Sequence, residues 1–321
     1  MATIKEIATL ANVSMATVSR VLNKDKQIVV SDLVKNQIFT IAHELGYVPP
    51  KFRRIPLENG ITIGVADWHI IRPDRTNQKL SDFSNMAKRF CKTPVKFVPV
   101  CFAQDISVDG IIALGNFTEE EVNFLESKSC FILFLDSNQC GYQYDRILID
   151  HNEGIKRMIR YFIDEKHYSS IGYIGGIFES QNIVIGKTRS SSFRELLKEE
   201  GCYNAESFLV GDMTSKNSYQ LVKKMIQDHV LPRALLIGND EIVEEVVTAL
   251  EEEDIFIPDE IEIIVYKDIE TLLSHNTTCS SIQVYTDFMW ENAIKVLLER
   301  ISGKRTETLT LTFPSKLVMN K

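Results

Sequence analysis

The sequence predicts a small all-α helix-turn-helix unit at the amino end, followed by a larger α/β unit whose two lobes are doubly wound parallel sheets. The first sixty residues contain three short amphipathic helical patterns. From Ile61 onward, short apolar strands alternate with longer amphipathic stretches, as in parallel sheets covered by helices on both faces. A chain of 321 residues, 44% of them hydrophobic, also exceeds one ordinary domain of roughly 100–200 residues.

These patterns divide the chain into three parts. We expect a helix-turn-helix headpiece at residues 1–48, a linker at 49–60 and a two-lobed core at 61–321. We assign about 61–149 and 286–309 to the first lobe, and about 150–285 and 310–321 to the second. The chain would then cross between the lobes near Asp150, Val284 and Thr310.

The headpiece begins with a helix that carries its own start signal. Thr3 and Glu6 fit the S/T-x-x-E capping box, in which each side chain bonds the backbone of the other residue. Asn12 tolerates the left-handed backbone of a tight turn, and Ser14 is a good cap for a following helix. The sequence therefore predicts two short helices joined by a tight turn.

The second helix, Met15 to Asn23, has one apolar face and one outward face. Val18, Val21 and Leu22 are expected to point inward, and Met15, Ala16, Ser19 and Arg20 outward. A third helix, capped by Ser31 and running to Gly46, completes a small core. A unit that buries so little surface suits a module whose function lies on its outer face.

Charge is distributed unevenly along the chain. Residues 1–58 carry eight lysine and arginine residues against five acidic ones, whereas the whole chain has a net charge of −8. Phosphate would be repelled by the acidic body, so any contact with nucleic acid is confined to the basic amino end.

The segment TIKEIATLANVSMATVSRVLN, followed by ELGYVP, resembles the headpiece of the LacI/GalR family of bacterial repressors. The resemblance implies that Met15 and Ala16 meet base edges in the major groove, with Arg20 on the same face. It also implies phosphate contacts that set the register on DNA, made by Ser14, Thr17, Ser19 and Asn23. We assign Thr3 and Tyr47 to the same DNA-binding set.

The linker departs from the family, whose members usually form a hinge helix that wedges leucines into the minor groove. Arg54 matches the family arginine, but Arg53 replaces an alanine and Pro56 stands where a leucine is usual. A proline late in a short helix removes a hydrogen bond and clashes with the preceding turn. Either the hinge helix is shorter, with Ile55 or Leu57 as the wedge, or the segment is a plain basic linker.

The core pattern predicts strands and helices in alternation. The strands are expected at Ile61–Ala66, Val95–Val100, Gly110–Leu114, Cys130–Leu135, Ser170–Ile174, Arg233–Ile237 and Glu262–Tyr266. The helices are expected at Glu153–Asp164, Ser190–Glu200, Ser218–Gln227, Glu241–Glu253 and Thr286–Ile301. Only residues 101–109, which include Phe102–Ser107, separate the second and third strands, although a parallel crossover normally takes about a dozen residues. Either a covering helix is missing there or the pairing changes locally.

Six core segments, in order, resemble the periplasmic-binding-protein-like domain of the same family: VDGIIALG, LFLDS, ILIDHNEG, SIGYIGG, ALLIGND and IPDEIEIIVYKD. The resemblance implies a sugar-binding cleft between the lobes, lined by Asp67, Trp68, Asp136, Arg189, Met213, Asn239 and Asp268. Alternatives remain open: Asp136 and Arg189 could form a structural salt bridge, and Trp68 could belong to a lobe core.

Some pocket positions depart from the family. Lys267 replaces the first residue of a usual Asp-Asp pair, Met213 stands where an aromatic residue is common, and Val284 replaces a polar residue. The compact first lobe and the closing FPSKL resemble galactose repressors and the repressor of the evolved β-galactosidase, which makes galactose or a β-galactoside the first effector to expect.

The function expected from this resemblance is a sequence-specific transcription regulator, normally a repressor, of a sugar-utilisation operon. Its expected partners are operator DNA, a small sugar and a second copy of the chain, because a palindromic operator needs two headpieces. Two alternatives stay open: control by a phosphorylated carrier protein, and sugar-processing catalysis by a carboxylate pair.

Composition narrows the remaining classes. The six cysteines form no close pair and the six histidines are scattered, so we expect unpaired thiols, no metal site and no cofactor. HExxH, GxSxG and nucleotide-binding glycine motifs are absent from the sequence, so we do not expect an enzyme. The amino terminus lacks signal-peptide features, and we expect a cytoplasmic protein.

Overall fold

A computed structural model describes most of the chain. The described residues are 3–22, 28–45, 47, 60–67, 83–89, 91, 93–101, 106–137, 141, 143–180, 183–211, 215–239, 242–267 and 279–320.

The headpiece folds as three helices, α1 (Ile4–Leu10), α2 (Met15–Leu22) and α3 (Asp32–Glu44). The capping box is present, because the hydroxyl of Thr3 accepts from the Glu6 N–H and the Glu6 carboxylate accepts from the Thr3 N–H at 2.7 Å. Asn12 adopts the left-handed conformation, φ 52°, and the Thr17 N–H donates to Ser14 Oγ at 3.0 Å. The predicted helix-turn-helix is confirmed, down to its caps.

Buried side chains from all three helices form the headpiece core. Ile7, Val18 and Ile38 are fully buried, and Val21 and Leu22 are also buried. These are the inward positions that helical spacing predicts. The core holds α2 with its other face outward.

The described residues from Gly60 onward form two six-stranded sheets and one short hairpin. The first has the order β13-β5-β4-β3-β1-β2, with every pair parallel. Its strands are β1 (Ile61–Asp67), β2 (Val95–Pro99), β3 (Gly110–Leu114), β4 (Ile132–Leu135), β5 (Asp145–Asp150) and β13 (Thr310–Pro314). The seven predicted strands lie in the two sheets with small shifts at their ends.

The second sheet has the order β14-β12-β11-β10-β6-β9, parallel except for the β12–β14 pair. Its strands are β6 (Ile171–Gly176), β9 (Phe208–Gly211), β10 (Ala234–Ile237), β11 (Glu262–Lys267), β12 (Ser280–Gln283) and β14 (Lys316–Val318). A short antiparallel hairpin, β7 (Phe178–Ser180) and β8 (Ile183–Ile185), follows β6.

Helices cover both faces of both sheets. They are α4 (Glu119–Lys128), α5 (His151–Arg160, continued by a π-helical turn Tyr161–Glu165), α6 (Lys187–Glu199), α7 (Ser215–Gln227), α8 (Val243–Glu251) and α9 (Thr286–Ile301). α9 and helical residues 83–87 pack on one face of the first sheet, and α4 packs on the other. α5 and α6 cover one face of the second sheet, and α7 and α8 cover the other. The predicted doubly wound, two-lobed core is confirmed.

Two of the three crossings between the sheets lie where the sequence predicts, after β5 at Asp150 and after β12 near Val284. The third crossing is later than expected. β13, Thr310–Pro314, pairs with β5 in the first sheet, so the chain crosses at Ser315. The assignment of residues 310–314 to the second lobe is therefore wrong, because the lobe of this edge strand is set by its pairing with β5, which its alternating pattern does not encode.

The short connection between β2 and β3 does not alter the pairing. β1 lies between these strands and pairs parallel with both. In the described part of the connection, residues 100–101 and 106–109, the chain is not helical.

Two smaller expectations can be compared with the described residues. The five cysteines among them are unpaired, and they contain no group of three or more histidine, cysteine or acidic side chains that could hold a metal ion. Within the same residues, we find no helix with both the length and the apolar character needed to span a membrane.

Candidate nucleic-acid interface and ligand site

The outer face of α2 is the candidate nucleic-acid interface. Met15 is 53% exposed, and Ala16 and Arg20 are also exposed, whereas Val18 on the opposite face is fully buried. Thr17 and Ser19, at the edges of this face, are half-buried. An exposed face of this kind on a short capped helix has the shape that enters a major groove.

Polar groups at the start of α2 are arranged by its cap. Ser14 Oγ lies 2.8 Å from Thr17 Oγ1 and accepts the Thr17 N–H, so both hydroxyls are held at the amino end of the helix. Hydroxyls and amino-terminal N–H groups of a helix are common phosphate contacts. Thr3 is exposed at the start of α1.

Tyr47 differs from the other predicted DNA-binding residues. Its side chain is buried in the headpiece core, and its N–H donates to the Ala42 carbonyl at 2.8 Å. The structure therefore places Tyr47 in the support of the interface, away from the outer face of α2. Asn23, Arg53, Arg54, Ile55 and Leu57 lie outside the described residues.

The candidate ligand site lies at the carboxyl ends of the second sheet, where such sheets bind ligands. Gly186 starts α6 with φ 83°, and a Cβ there would lie 2.4 Å from the Gly176 carbonyl oxygen. This close approach, which only glycine permits, sets the first turn of α6 against the end of β6. Arg189 belongs to that first turn.

Arg189 is buried and held on two sides. Its guanidinium carbon lies 4.2 Å from the centroid of the Tyr266 ring, and its Nη1 donates to the Gly238 carbonyl. Tyr266 comes from β11 and Gly238 directly follows β10. The stack on an aromatic face and the backbone bond fix the plane of the guanidinium.

Asn239 lies beside this group, with 2% of its surface exposed. Its Oδ1 accepts the Gly176 N–H at 2.9 Å, which orients the amide, while the buried Nδ2 has no hydrogen-bond partner among the described residues. A buried donor left unpaired costs about 1–3 kcal/mol, so this atom is a candidate donor to a polar ligand.

Asp136 follows β4 in the first lobe. It takes a left-handed backbone, φ 50°, and its N–H donates to the Ile147 carbonyl at 2.8 Å. Non-glycine residues in this conformation are uncommon and concentrate at functional turns. Asp67 is the last residue of β1, but its side chain lies outside the described part, as do Trp68, Met213 and Asp268.

The structure adds residues that sequence reasoning missed. Tyr266 Oη lies 2.6 Å from His151 Nδ1, although the two residues are 115 positions apart. Ser315, at the third crossing, bonds the first crossing: its N–H donates to the Asp150 carbonyl at 3.0 Å. Only the ILIDHNEG and FPSKL segments singled out these stretches, and neither indicated the contacts.

Family models match two parts of the chain. Residues 3–50 match the model for bacterial regulatory proteins of the lacI family, and residues 159–319 match the periplasmic binding protein-like domain. The HTH-type transcriptional repressor MelR of Bacillus subtilis (strain 168) is 28% identical over 351 residues, covering 100% of this chain and 97% of MelR. The HTH-type transcriptional regulator GalR of Streptococcus thermophilus is 27% identical, covering 97% of this chain and 96% of GalR.

A solved structure shares the fold. The lac repressor dimer bound to operator and the anti-inducer ONPF superposes with a TM-score of 0.60 at 19% identity, covering 100% of this chain and 98% of that chain. The resemblance read from the headpiece and core motifs is confirmed. With its amino-terminal helix-turn-helix and its two-lobed periplasmic binding protein-like domain, the chain belongs to the lacI family of bacterial regulatory proteins.

Proposed function

We propose that this chain is a homodimeric repressor of a sugar-utilisation operon, which binds operator DNA through α2 and is controlled by a small sugar in the cleft. Galactose or a β-galactoside is the first effector to test. The DNA half of the proposal is supported by the exposed outer face of α2 and by the family match of residues 3–50.

The observation that carries the sugar half is the buried Nδ2 of Asn239. A sugar hydroxyl that accepts from this atom would pay back its desolvation cost. The neighbouring guanidinium of Arg189 presents planar donors to adjacent hydroxyls. We propose Asp67, Trp68, Asp136, Met213 and Asp268 as the remaining effector contacts.

Sugar binding would change the orientation of one lobe relative to the other, and therefore the distance between the two headpieces of the dimer. Coupling between such sites is typically about 1–3 kcal/mol, or roughly 5–150-fold in operator affinity. We propose that the basic linker, with Arg53 and Arg54, adds DNA contacts between core and headpiece, and that Ile55 or Leu57 provides the wedge.

The test selects the operator first and then titrates sugars. Purified protein would select bound sequences from a random DNA pool, and fluorescence anisotropy would measure affinity for the selected duplex with galactose, lactose or glucose present. We expect a palindromic operator and a 5–150-fold change in affinity with a galactoside. If the protein selects no DNA sequence from the pool, the operator-binding role is rejected. If no sugar changes its affinity for the operator, the sugar effector is rejected.

The base-reading role of α2 can be tested separately with Arg20→Ala. Loss of a bidentate arginine–guanine contact costs about 1–3 kcal/mol and relaxes preference at one base position. Arg160→Ala, an exposed arginine on α5, is the matched control and should leave operator binding unchanged. Unchanged affinity and preference in Arg20→Ala would remove this residue from the base-reading set.

Two rival outcomes are built into the same measurements. Control by a phosphorylated carrier protein predicts that the carrier, and no sugar, changes operator affinity. A sugar-processing enzyme predicts turnover of lactose by the purified protein.

A further inference from the structure

The residue on which Arg189 stacks also contacts a residue outside the candidate ligand site. Tyr266, which is fully buried, presents its ring face to the Arg189 guanidinium at 4.2 Å and its hydroxyl to His151 Nδ1 at 2.6 Å. One side chain therefore contacts both residues. A shift of the phenol ring would move the surface on which the guanidinium stacks.

His151 occupies a particular place in the chain. It is the first residue of α5 and directly follows Asp150, the last residue of β5 and the point of the first crossing. Its side chain reaches into the second lobe toward β11, where Tyr266 lies. A change in the backbone at the first crossing would therefore act directly on the Tyr266 hydroxyl.

The first crossing is also tied to the third one. The hydroxyl of the buried Ser315 donates to the Asp150 carbonyl at 2.9 Å and also lies 3.2 Å from the His151 carbonyl oxygen. The same hydroxyl accepts the Gly154 N–H at 3.0 Å. Together with the bond from the Ser315 N–H to the Asp150 carbonyl, these contacts join the two crossings into one unit. Rotation of one lobe on the other must act on this unit, and His151 projects from it.

We propose that His151 is a positioning residue for the ligand site: through Tyr266 it sets the guanidinium of Arg189 and links ligand binding to the joined crossings. This inference rests on the proposed function, because it concerns how sugar and operator binding are coupled. His151 contacts Tyr266, and Tyr266 contacts Arg189, so the effect travels through two contacts in series.

The test uses substitutions that remove or keep the bond. His151→Leu and Tyr266→Phe each remove the His151–Tyr266 hydrogen bond, and Tyr266→Phe keeps the ring under Arg189. His151→Asn keeps a polar atom where Nδ1 lies, because the asparagine amide has the same distance from Cβ. Tyr161→Phe is the matched control, since the Tyr161 hydroxyl bonds Glu262 at the opposite, amino-terminal end of β11.

Two quantities are measured for each full-length variant: the dissociation constant for lactose or galactose by calorimetry, and the ratio of operator affinities with and without that sugar. We expect His151→Leu and Tyr266→Phe each to weaken sugar binding and to reduce the ratio by about three- to tenfold, the range of one hydrogen bond. The double variant should lose no more than either single variant, because both remove the same bond. His151→Asn should restore most of the loss, and the operator affinity of each variant without sugar is the reference for its own ratio.

Results that contradict the positioning role differ from results that contradict the proposed function. Wild-type coupling in both Tyr266→Phe and His151→Leu, additive losses in the double variant, or an equal loss in Tyr161→Phe would overturn the positioning role and leave the proposed function standing. If the wild-type protein binds operator but responds to no sugar, the effector part of the proposed function fails and the positioning role fails with it. Should His151→Leu not fold, Tyr266→Phe and His151→Asn decide the question.

Discussion

Two side chains in the candidate ligand site are held by different means. The Arg189 guanidinium is fixed by a ring and a carbonyl oxygen, whereas the Asn239 amide is oriented by one backbone bond to its oxygen. Because the buried Nδ2 of this amide has no partner among the described residues, it can donate to an acceptor on a ligand. At this scale, Asn239 has the clearest ligand-directed geometry among the described residues.

The corresponding prediction concerns Asn239→Ala. The change removes the Nδ2 donor and also leaves the Gly176 N–H unpaired, so we expect sugar affinity to fall about tenfold or more. Operator affinity without sugar should stay within about twofold, because the headpiece is untouched. Calorimetric titration with galactose or lactose and operator anisotropy make the measurement.

Asn204→Ala is the control for that variant. Asn204 also accepts a backbone N–H, that of Glu206 at 3.0 Å, but it lies in an exposed turn. Equal sugar affinities in Asn239→Ala and wild type, with both proteins folded, would remove Asn239 from the site.

Residue positions that depend on a local motif could be predicted from the sequence. Arg189 and Asn239 stand in segments that resemble the family; the structure places Asn239 just after β10 and Arg189 in the first turn of α6, which lies against the end of the neighbouring strand β6. His151 and Tyr266 could not be paired in advance. Their contact is created by the sheet order, which brings residues 115 positions apart together, and neither flanking segment encodes that order.

Among the elements too, features set by neighbouring residues could be predicted, whereas features set by distant residues could not. The caps of α1 and α2 could be predicted because each capping residue lies three positions from its partner. β13 was assigned to the wrong lobe because its membership depends on pairing with β5, some 160 residues earlier in the chain. The position of Ser315 shows the consequence, since the third crossing can be located only once that pairing is known.

The capping box of α1 predicts an effect of pH. The Thr3 N–H, followed by the Thr3 hydroxyl, holds the pKa of Glu6 below its ordinary value. A carboxyl with a lowered folded pKa stabilises the helix above its unfolded pKa, and that contribution is lost as pH falls through the folded pKa. We expect amide protection in α1 to decline in acid, measured by hydrogen exchange and corrected for intrinsic rates.

Glu6→Gln provides the comparison for this effect. Glutamine can fill the same position of a capping box without titrating. Its α1 protection should lack the acid-dependent decline that the wild-type helix shows. Parallel declines in the two proteins would assign the effect to other groups.

The joined crossings make a second prediction at the scale of elements. A Cβ at Gly154 would lie 2.6 Å from Ile282 Cγ2 and 2.7 Å from Ser315 Oγ. Gly154→Ala should therefore displace Ser315 and destabilise the protein by about 1–3 kcal/mol, the usual cost of overpacking a core. Gly201→Ala is a poor control because Gly201 has φ 72°, so Ser302→Ala, at the half-buried carboxyl-terminal cap of α9, is the control. Denaturant unfolding measures the difference, and equal stability would show that the crossing unit can relax.

The whole molecule is organised by the route of the chain between two sheets. Three crossings connect the sheets, and two of them are bonded through Ser315. Two doubly wound lobes could be predicted because alternating strands and helices favour that architecture in general. How the lobes move on one another depends on the crossing contacts, which only the structure supplies.

The last prediction concerns assembly on DNA. Arg20 is the one charged side chain of α2 and the one we propose to read a base, so a single headpiece should discriminate modestly. Joining two headpieces in a dimer raises affinity by about 10²–10⁴-fold when the half-sites are correctly spaced. Light scattering should give a mass of twice 36.6 kDa for the free protein, and two chains per palindromic operator. A half-site, or a palindrome lengthened by about half a helical turn, should bind at least about 10²-fold more weakly. A free monomer that binds half-site and palindrome equally well would contradict the dimer, and with it the idea that a ligand acts by changing headpiece spacing.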